Sequence, residues 1–170
     1  MMSAKYYKIN HHRIPVLQRY SVTVWVDACF IISAPDFVQR SVAFLNEEAA
    51  DFAVFRHAHA SNVAEDAVRA YALAHKYRGQ LVLQQEARYT EEGFPDDQGL
   101  LAGGFLVRLG SSSRVSLAMD LWWREIQSGS FQDQISLPYV RWKQPDFRIR
   151  VLEEDIYSLA GMGRHIGHAR

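Results

Sequence analysis

Apolar positions along this chain switch between two periods, and the switches mark out its elements. Ser21-Val-Thr-Val-Trp-Val-Asp27 is β-branched, aromatic and apolar at most positions before it ends on an acid, the pattern of a strand covered on both faces. Residues 35–45 open with Pro35-Asp36 and carry Phe37, Val38, Val42 and Leu45, which predicts a short helix with proline in its first turn. Phe52-Ala-Val-Phe55 predicts a second strand, running out at His57. Asn62-Val-Ala-Glu65 has the form of a capping box. The helix it opens is expected to bury Val63, Ala67, Ala70, Tyr71, Ala74 and Tyr77, with Gly79 closing it.

Further along, residues 80–90 carry a weaker helical pattern, and Gly93 to Gly99 is acidic and rich in turn formers. Leu101-Ala-Gly-Gly-Phe-Leu-Val-Arg108 predicts a strand whose two glycines let another backbone or a ligand come close. Ser113 to Gln127 is a helix with Val115, Ala118, Leu121, Trp122 and Ile126 on one side. Phe131 to Tyr139 predicts a further short helix, stopped at Pro138, and Phe147 to Leu152 alternates as a strand does. The tail over 161–168 is glycine-rich and irregular. Strands alternating with helices predict an α/β sheet, in one domain over residues 1–170.

Charge narrows the partners. Lys plus Arg numbers 19 and Asp plus Glu also 19, so no field of one sign grips nucleic acid or an anionic membrane. One cysteine, Cys29, excludes an internal disulfide framework and fits a reducing compartment. The chain has no apolar run near the roughly 20 residues of a membrane span. Its first residues lack the apolar core of a secretory signal. Cytoplasmic localisation is the expectation.

Several residues are candidates for chemistry. Asp27 ends a buried strand, and in open α/β sheets ligands bind beyond the carboxyl ends of strands; it either anchors a divalent cation or caps a turn. His57 and His59, two apart, either share a face for a metal or phosphate or form a polar strand end. Glu65 is most simply the capping carboxylate. Trp122 and Trp123 point about 100° apart on a helix, so one packs inward while its neighbour packs elsewhere or lines a cleft. Asp133-Gln134 follows Ser128-Gly-Ser130 at a loop-to-helix junction. The pair either binds hydroxyls or is a helix start with an acid favoured by the dipole. His165 and His168, in the tail, are candidate late metal ligands. No phosphate-binding glycine loop, nucleophile elbow or CxxC is present.

Five blocks in order resemble one family: the glycosyltransferase-like domain of the plant turgor-regulation-defect and mucilage-related proteins and of bacterial polysaccharide proteins. Ala4-Lys-Tyr-Tyr-Lys8 with His11-His12, Pro15 and Tyr20 is similar to its ARYYK lead-in. Val24-Trp-Val-Asp-Ala28 resembles its IWIDG/A strand, and Phe55 to Ala67 its FKHPHRDCVYEEA block. Leu121-Trp-Trp-Arg-Glu-Ile126 resembles LWWEEI, and Ser130 to Tyr139 resembles SRRDQLSFPYV. The match is strongest over residues 4–143. Departures fall at Ala60, Asn62, Ala64 and Gln132, where the family has Arg, Cys, Tyr and Arg.

The resemblance implies a GT-A-like mixed sheet flanked by helices and sugar transfer from a nucleotide-sugar donor, such as a UDP-sugar, to a saccharide or polysaccharide acceptor. It implies Asp27 as a ligand for Mn²⁺ or Mg²⁺, with His165 or His168 completing the metal shell. It further implies Asp133 and Gln134 facing the acceptor and the anomeric carbon, His57 supporting the donor side, and Gly103 and Gly104 letting the donor sugar approach. Trp123 joins these as a candidate donor contact. The family pattern has a β-α-β stretch ahead of the first block, so the resemblance implies a shortened copy. Its exposed sheet edge would be covered by a second copy or a partner chain. Two other readings are a non-catalytic sugar-binding or assembly module of the same family, and a metal hydrolase built from Asp27, His57 and His59.

Overall fold

A computed structural model describes residues 2–46, 49–58, 60–73 and 75–153. Its centre is strand β3, Leu101–Leu109, the longest of four strands among the described residues. On one side β3 pairs antiparallel with β1, Val22–Val26, and on the other with β2, Phe52–Arg56. Strand β4, Ile149–Leu152, lies parallel to β2, giving the order β1-β3-β2-β4. The sheet is mixed and the fold is α/β. Every side chain of β2 from Phe52 to Phe55 is fully buried, which accounts for its continuous apolar run.

Helices α1 (Met2–Ile9), α5 (Ser113–Ser128) and α6 (Asp133–Lys143) border one face. There Ile9, Val115, Met119, Trp122, Leu137 and Val140 pack on Phe52, Val54 and Leu106. Helix α2 (Phe37–Asn46) covers the other face, with Phe37 and Leu45 against Ala53, Phe55, Phe105 and Val107. A second apolar cluster joins α3 (Val63–Leu73), α4 (Val82–Glu91) and α6, and stacks Tyr89 on Tyr139 at 3.8 Å. Helix α4 forms despite its weak pattern because polar groups dock it. Tyr89 donates to Glu125 Oε2 at 2.7 Å, Gln85 donates to the Glu125 carbonyl at 3.1 Å, and Arg88 pairs with Glu125.

The structure departs from the sequence pattern at several places. The helix expected to run to Gly79 is α-helix over Val63–Leu73, followed by a separate 3-10 turn at His75–Tyr77 that still buries Tyr77. Pro138 does not stop the last helix; α6 runs through it to Lys143. An interior proline costs about 3 kcal/mol, and burial of Ile135, Leu137, Tyr139 and Val140 around it outweighs that. Tyr71 is 64 % exposed; at about 100° per residue it falls about 80° round the helix from Val63 and about 40° beyond Ala67, off the edge of the buried stripe. Helix α1, unannounced by any apolar period, buries only Lys8 and Ile9. The capping box forms in a variant way: Asn62 Oδ1 accepts from Glu65 N–H at 2.8 Å, while the Glu65 carboxylate accepts from Ser61 N–H at 2.8 Å.

At one end of the sheet, buried Asp51 accepts paired hydrogen bonds from Arg114, at 2.7 and 3.0 Å, and from Arg148, at 3.0 and 3.1 Å. Burial alone raises such a carboxyl, but the two guanidinium groups outweigh it and hold Asp51 well below the usual carboxylate range. Its stabilisation is therefore present above the unfolded value near 4 and is lost as acid protonates it. Both arginines are about half exposed and remain solvated when their partner is gone. Asp51→Asn is expected to cost about 1–3 kcal/mol at pH 7. Urea unfolding at pH 7 and pH 3 checks this, with the gap from wild type narrowing at the lower pH.

Candidate functional site

Beyond the carboxyl end of β1 the chain opens a cleft of about 410 Å³. Its walls are Lys5 from α1, Asp27 after β1, His57 after β2, Asp66, Arg69 and Ala70 from α3, Tyr77, and Gln132, Asp133 and Gln134 at the start of α6. Four residues singled out from the sequence, Asp27, His57, Asp133 and Gln134, thus come together in one place.

Asp133 is the electrostatic centre of this cleft. It is the first residue of α6 and only 4 % exposed, where the helix dipole favours an acid. Lys5 Nζ lies 2.7 Å from Asp133 Oδ2, and Lys8 pairs with the same oxygen. Burial pushes this carboxyl up, yet Lys8 and Lys5 together outweigh burial and hold it well below its ordinary value. Burial in turn draws the Lys5 ammonium below its usual value, against the opposing pull of Asp133. Asp133 is therefore ionised throughout the neutral range and is not a proton donor.

Two glycines make room for this arrangement. A Cβ at Gly103 would stand 3.0 Å from both Asp133 Oδ2 and Lys8 Nζ, and one at Gly104 would stand 3.0 Å from the Phe30 ring and 3.6 Å from Asp27 Oδ2. The close approach inferred from Gly103-Gly104 is made here by the protein's own side chains.

Asp27 reaches the cleft half-exposed, with 39 % of its side chain open. Its Oδ1 accepts from Trp25 Nε1 at 2.6 Å and lies 3.6 Å from Lys8 Nζ, so Lys8 links the two carboxylates. Across the cleft, Gln132 is fixed by three bonds: Tyr77 donates to its Oε1, and its Nε2 donates to Asp66 at 2.9 Å and to Gln134 Oε1 at 3.0 Å. Burial, with Asp133, Asp66 and Asp27 nearby, pushes the Tyr77 phenol well above its usual value, so it stays protonated and donates. With its carbonyl engaged, Gln134 keeps its amide N–H groups as donors. His57 Nδ1 accepts from Ala60 N–H at 3.0 Å, which puts the proton of the neutral ring on Nε2.

The remaining predicted residues fall elsewhere. Trp123 is not among the residues lining the cleft; it packs edge-on against Tyr6, at 5.5 Å between ring centres, in a shallow pocket with Met2, Ser3 and Tyr7. His59, His165 and His168 lie outside the described residues. Sequence reasoning missed Lys5, Lys8, Asp66, Arg69 and Gln132 as parts of the site, and read Tyr77 as core only. The two lysines carried a signal, since they stand three apart within the first block.

Among the described residues no group of three or more His, Cys, Asp or Glu side chains is arranged to hold a metal ion. Asp27 by itself suits an ion held mainly by phosphate oxygens and water, not a cage made of protein ligands.

The profile described as TOD1/MUCI70, glycosyltransferase-like domain, matches residues 1–158. The chain belongs to that family. Comparison with curated proteins and with solved structures returned no match. The chain's cleft carries charges of both signs, from Lys5, Arg69, Asp27, Asp66 and Asp133, beside the amide groups of Gln132 and Gln134. No helix among the described residues is long and apolar enough to cross a membrane.

Removing Lys8 leaves Asp133 buried with Lys5 as its one remaining partner, so the cost stays below the roughly 3–5 kcal/mol of a wholly uncompensated buried charge, on the order of 1–3 kcal/mol. Lys8→Met is expected to destabilise by that order and to raise the Asp133 pKa. Urea unfolding and carboxyl ¹³C titration check the two effects, and an unchanged titration would contradict the assignment of Lys8 as the pairing cation.

Proposed function

We propose that the cleft binds a nucleotide sugar together with a divalent cation and transfers the sugar to a saccharide acceptor. The observation that carries this reading is the convergence of Asp27, Asp133, Gln134 and Lys5 on one cleft beyond the carboxyl end of a strand, in a chain of a glycosyltransferase-like family. Lys5 and Arg69 are the cations lining it, and they attract the diphosphate of the donor. Asp27, with His165 and His168 of the tail, would hold Mn²⁺ or Mg²⁺ through few protein ligands. Such an ion neutralises charge developing on the departing diphosphate.

Gln134 offers its amide N–H groups to hydroxyls of sugar or acceptor, and Gln132, tied to Tyr77 and Asp66, fixes its direction. Asp133 orients the wall: locked between two ammonium groups, it holds Lys5 where a phosphate meets it. His57, with Nε2 carrying its proton, donates to the donor's phosphate or ribose oxygens. The lone Cys29 accords with work in a reducing cytoplasm.

A second reading, a sugar-binding module without turnover, is favoured by one observation. The lysines that neutralise Asp133 leave it no free proton chemistry.

Calorimetric titration with a panel of UDP-sugars, with and without Mn²⁺, and assay of UDP release separate the readings. Binding with UDP release supports the transferase, binding without release supports the module, and no nucleotide binding at any Mn²⁺ concentration rejects the transferase. Asp27→Asn is expected to weaken Mn²⁺-dependent binding roughly tenfold or more, the loss of a charge-assisted contact. Gln134→Ala is expected to keep donor affinity and slow transfer by roughly 10–100-fold, as a lost orienting contact does. Binding and initial rates, measured on the same preparations, check both.

A further inference from the structure

Away from the cleft, Arg108 stands inside the protein without a counter-charge among the described residues. Its residue is 2 % exposed, and it is among the largest fully buried side chains. The guanidinium donates to the Lys8 carbonyl, and its Nε has no partner among the described residues. Among the described residues no carboxylate acts on it, and burial brings its pKa down to about 9. Its cross-strand neighbour is Thr23, 8 % exposed, whose hydroxyl is also unpartnered among the described residues. Asp120, on helix α5, is taken by His12 and Arg13, both at 2.7 Å. Burying an ion without a partner costs several kcal/mol, so the position calls for an anion from outside.

Both side chains line a groove of about 490 Å³ that runs along β1. Its other walls include Ile14, Val16, Leu17 and Tyr20, of which Val16 and Tyr20 are about half exposed. Strand β1 ends the order of the sheet. Asp27 N–H donates to the Gly104 carbonyl, and Gly110 N–H to the Ser21 carbonyl. In an antiparallel ladder the alternation then directs the N–H and C=O groups of Val22, Val24 and Val26 outward. Among the described residues, one groove thus combines a backbone edge without a strand partner, an apolar lining and a buried cation beside an unpartnered hydroxyl.

We propose that the outer edge of β1 is a docking site for an extended segment of another polypeptide, apolar at alternate positions and carrying an Asp or Glu opposite Thr23. A strand added there lies two inter-strand spacings from β3, about 10 Å, a span that a glutamate and an arginine bridge between them. Its backbone satisfies the outward groups of β1 by strand addition, and its carboxylate pairs with the guanidinium and accepts from the Thr23 hydroxyl. An amphiphile with an anionic head answers the cation and leaves the backbone edge unpaired. A second copy paired through its own β1 offers only Asp27 on the matching face, and that carboxylate is held by Trp25 and Lys8.

The test uses ¹⁵N-labelled full chain and two acetylated, amidated peptides, Lys-Val-Thr-Val-Glu-Val-Thr-Lys and its counterpart with Gln for Glu. The expected result is selective shifts and slowed exchange at the Val22, Val24 and Val26 amides. The Glu peptide should bind roughly tenfold tighter than the Gln peptide, the difference made by one charge-assisted bond. Arg108→Met should bind both alike and, without peptide, melt no lower than wild type. Equal affinities in wild type, no response at β1, or dimerisation through those same amides without peptide would each overturn the proposal. So would a marked loss of stability in Arg108→Met, since the guanidinium would then be satisfied within the fold. Dodecyl phosphate is the control: a response to it at Thr23 and Arg108 where neither peptide produces one overturns the strand reading in favour of an amphiphile site.

Discussion

The contact between Asp133 and the ammonium groups of Lys5 and Lys8, made over the bare backbone of Gly103, joins three elements that are distant in sequence. It fastens α1 and the start of α6 to β3, and it does so inside the protein. Each of these ions is costly to bury alone, and each is stable there because the others are present. Lys8 also touches the edge of Asp27, so the same cation sets the charge balance of the cleft. The position of one helix of eight residues therefore decides both the closure of this face and the electrostatics beyond β1.

A second carboxylate centre shows how exposure changes the role of an ion pair. Asp51 is fully buried, like Asp133, but its arginine partners stand about half in water. That pairing ties β2, α5 and the approach to β4, and it projects no charge into a cleft. At Asp133 the partner that remains partly open is Lys5, 18 % exposed, and it points where a ligand enters. Similar chemistry at two ends of the sheet yields a fastening in one case and a binding wall in the other. Arg108 is a third case: a buried cation for which the described residues provide no anion.

Much of the fold was legible because apolar period and burial agree in it. The segments around Val22–Val26, Phe52–Arg56 and Leu101–Leu109 read as strands, and they are the three neighbouring strands β1, β2 and β3 of the sheet. Helix α1 was not legible, since its anchor is a lysine whose burial depends on an acid 125 positions away. The extent of α6 was misread for a related reason: local rules stop a helix at Pro138, and only packing by its neighbours carries it onward. In the cleft, the acids and the amide that drew attention in the sequence do converge. The cations and Gln132 that position them stayed hidden, because their partners lie on other elements and no spacing along the chain reveals a contact made in space.

The bare backbone at Gly103 has a consequence for how such a chain diversifies. Any side chain there would press on both members of the ion pair, and loss of either member would leave the other stranded in a space too tight for a larger substitute. Positions 8, 103 and 133 are therefore constrained as a unit in this chain. Among relatives that keep this geometry, the three should vary together or stay fixed, whatever sugar or acceptor each has come to use.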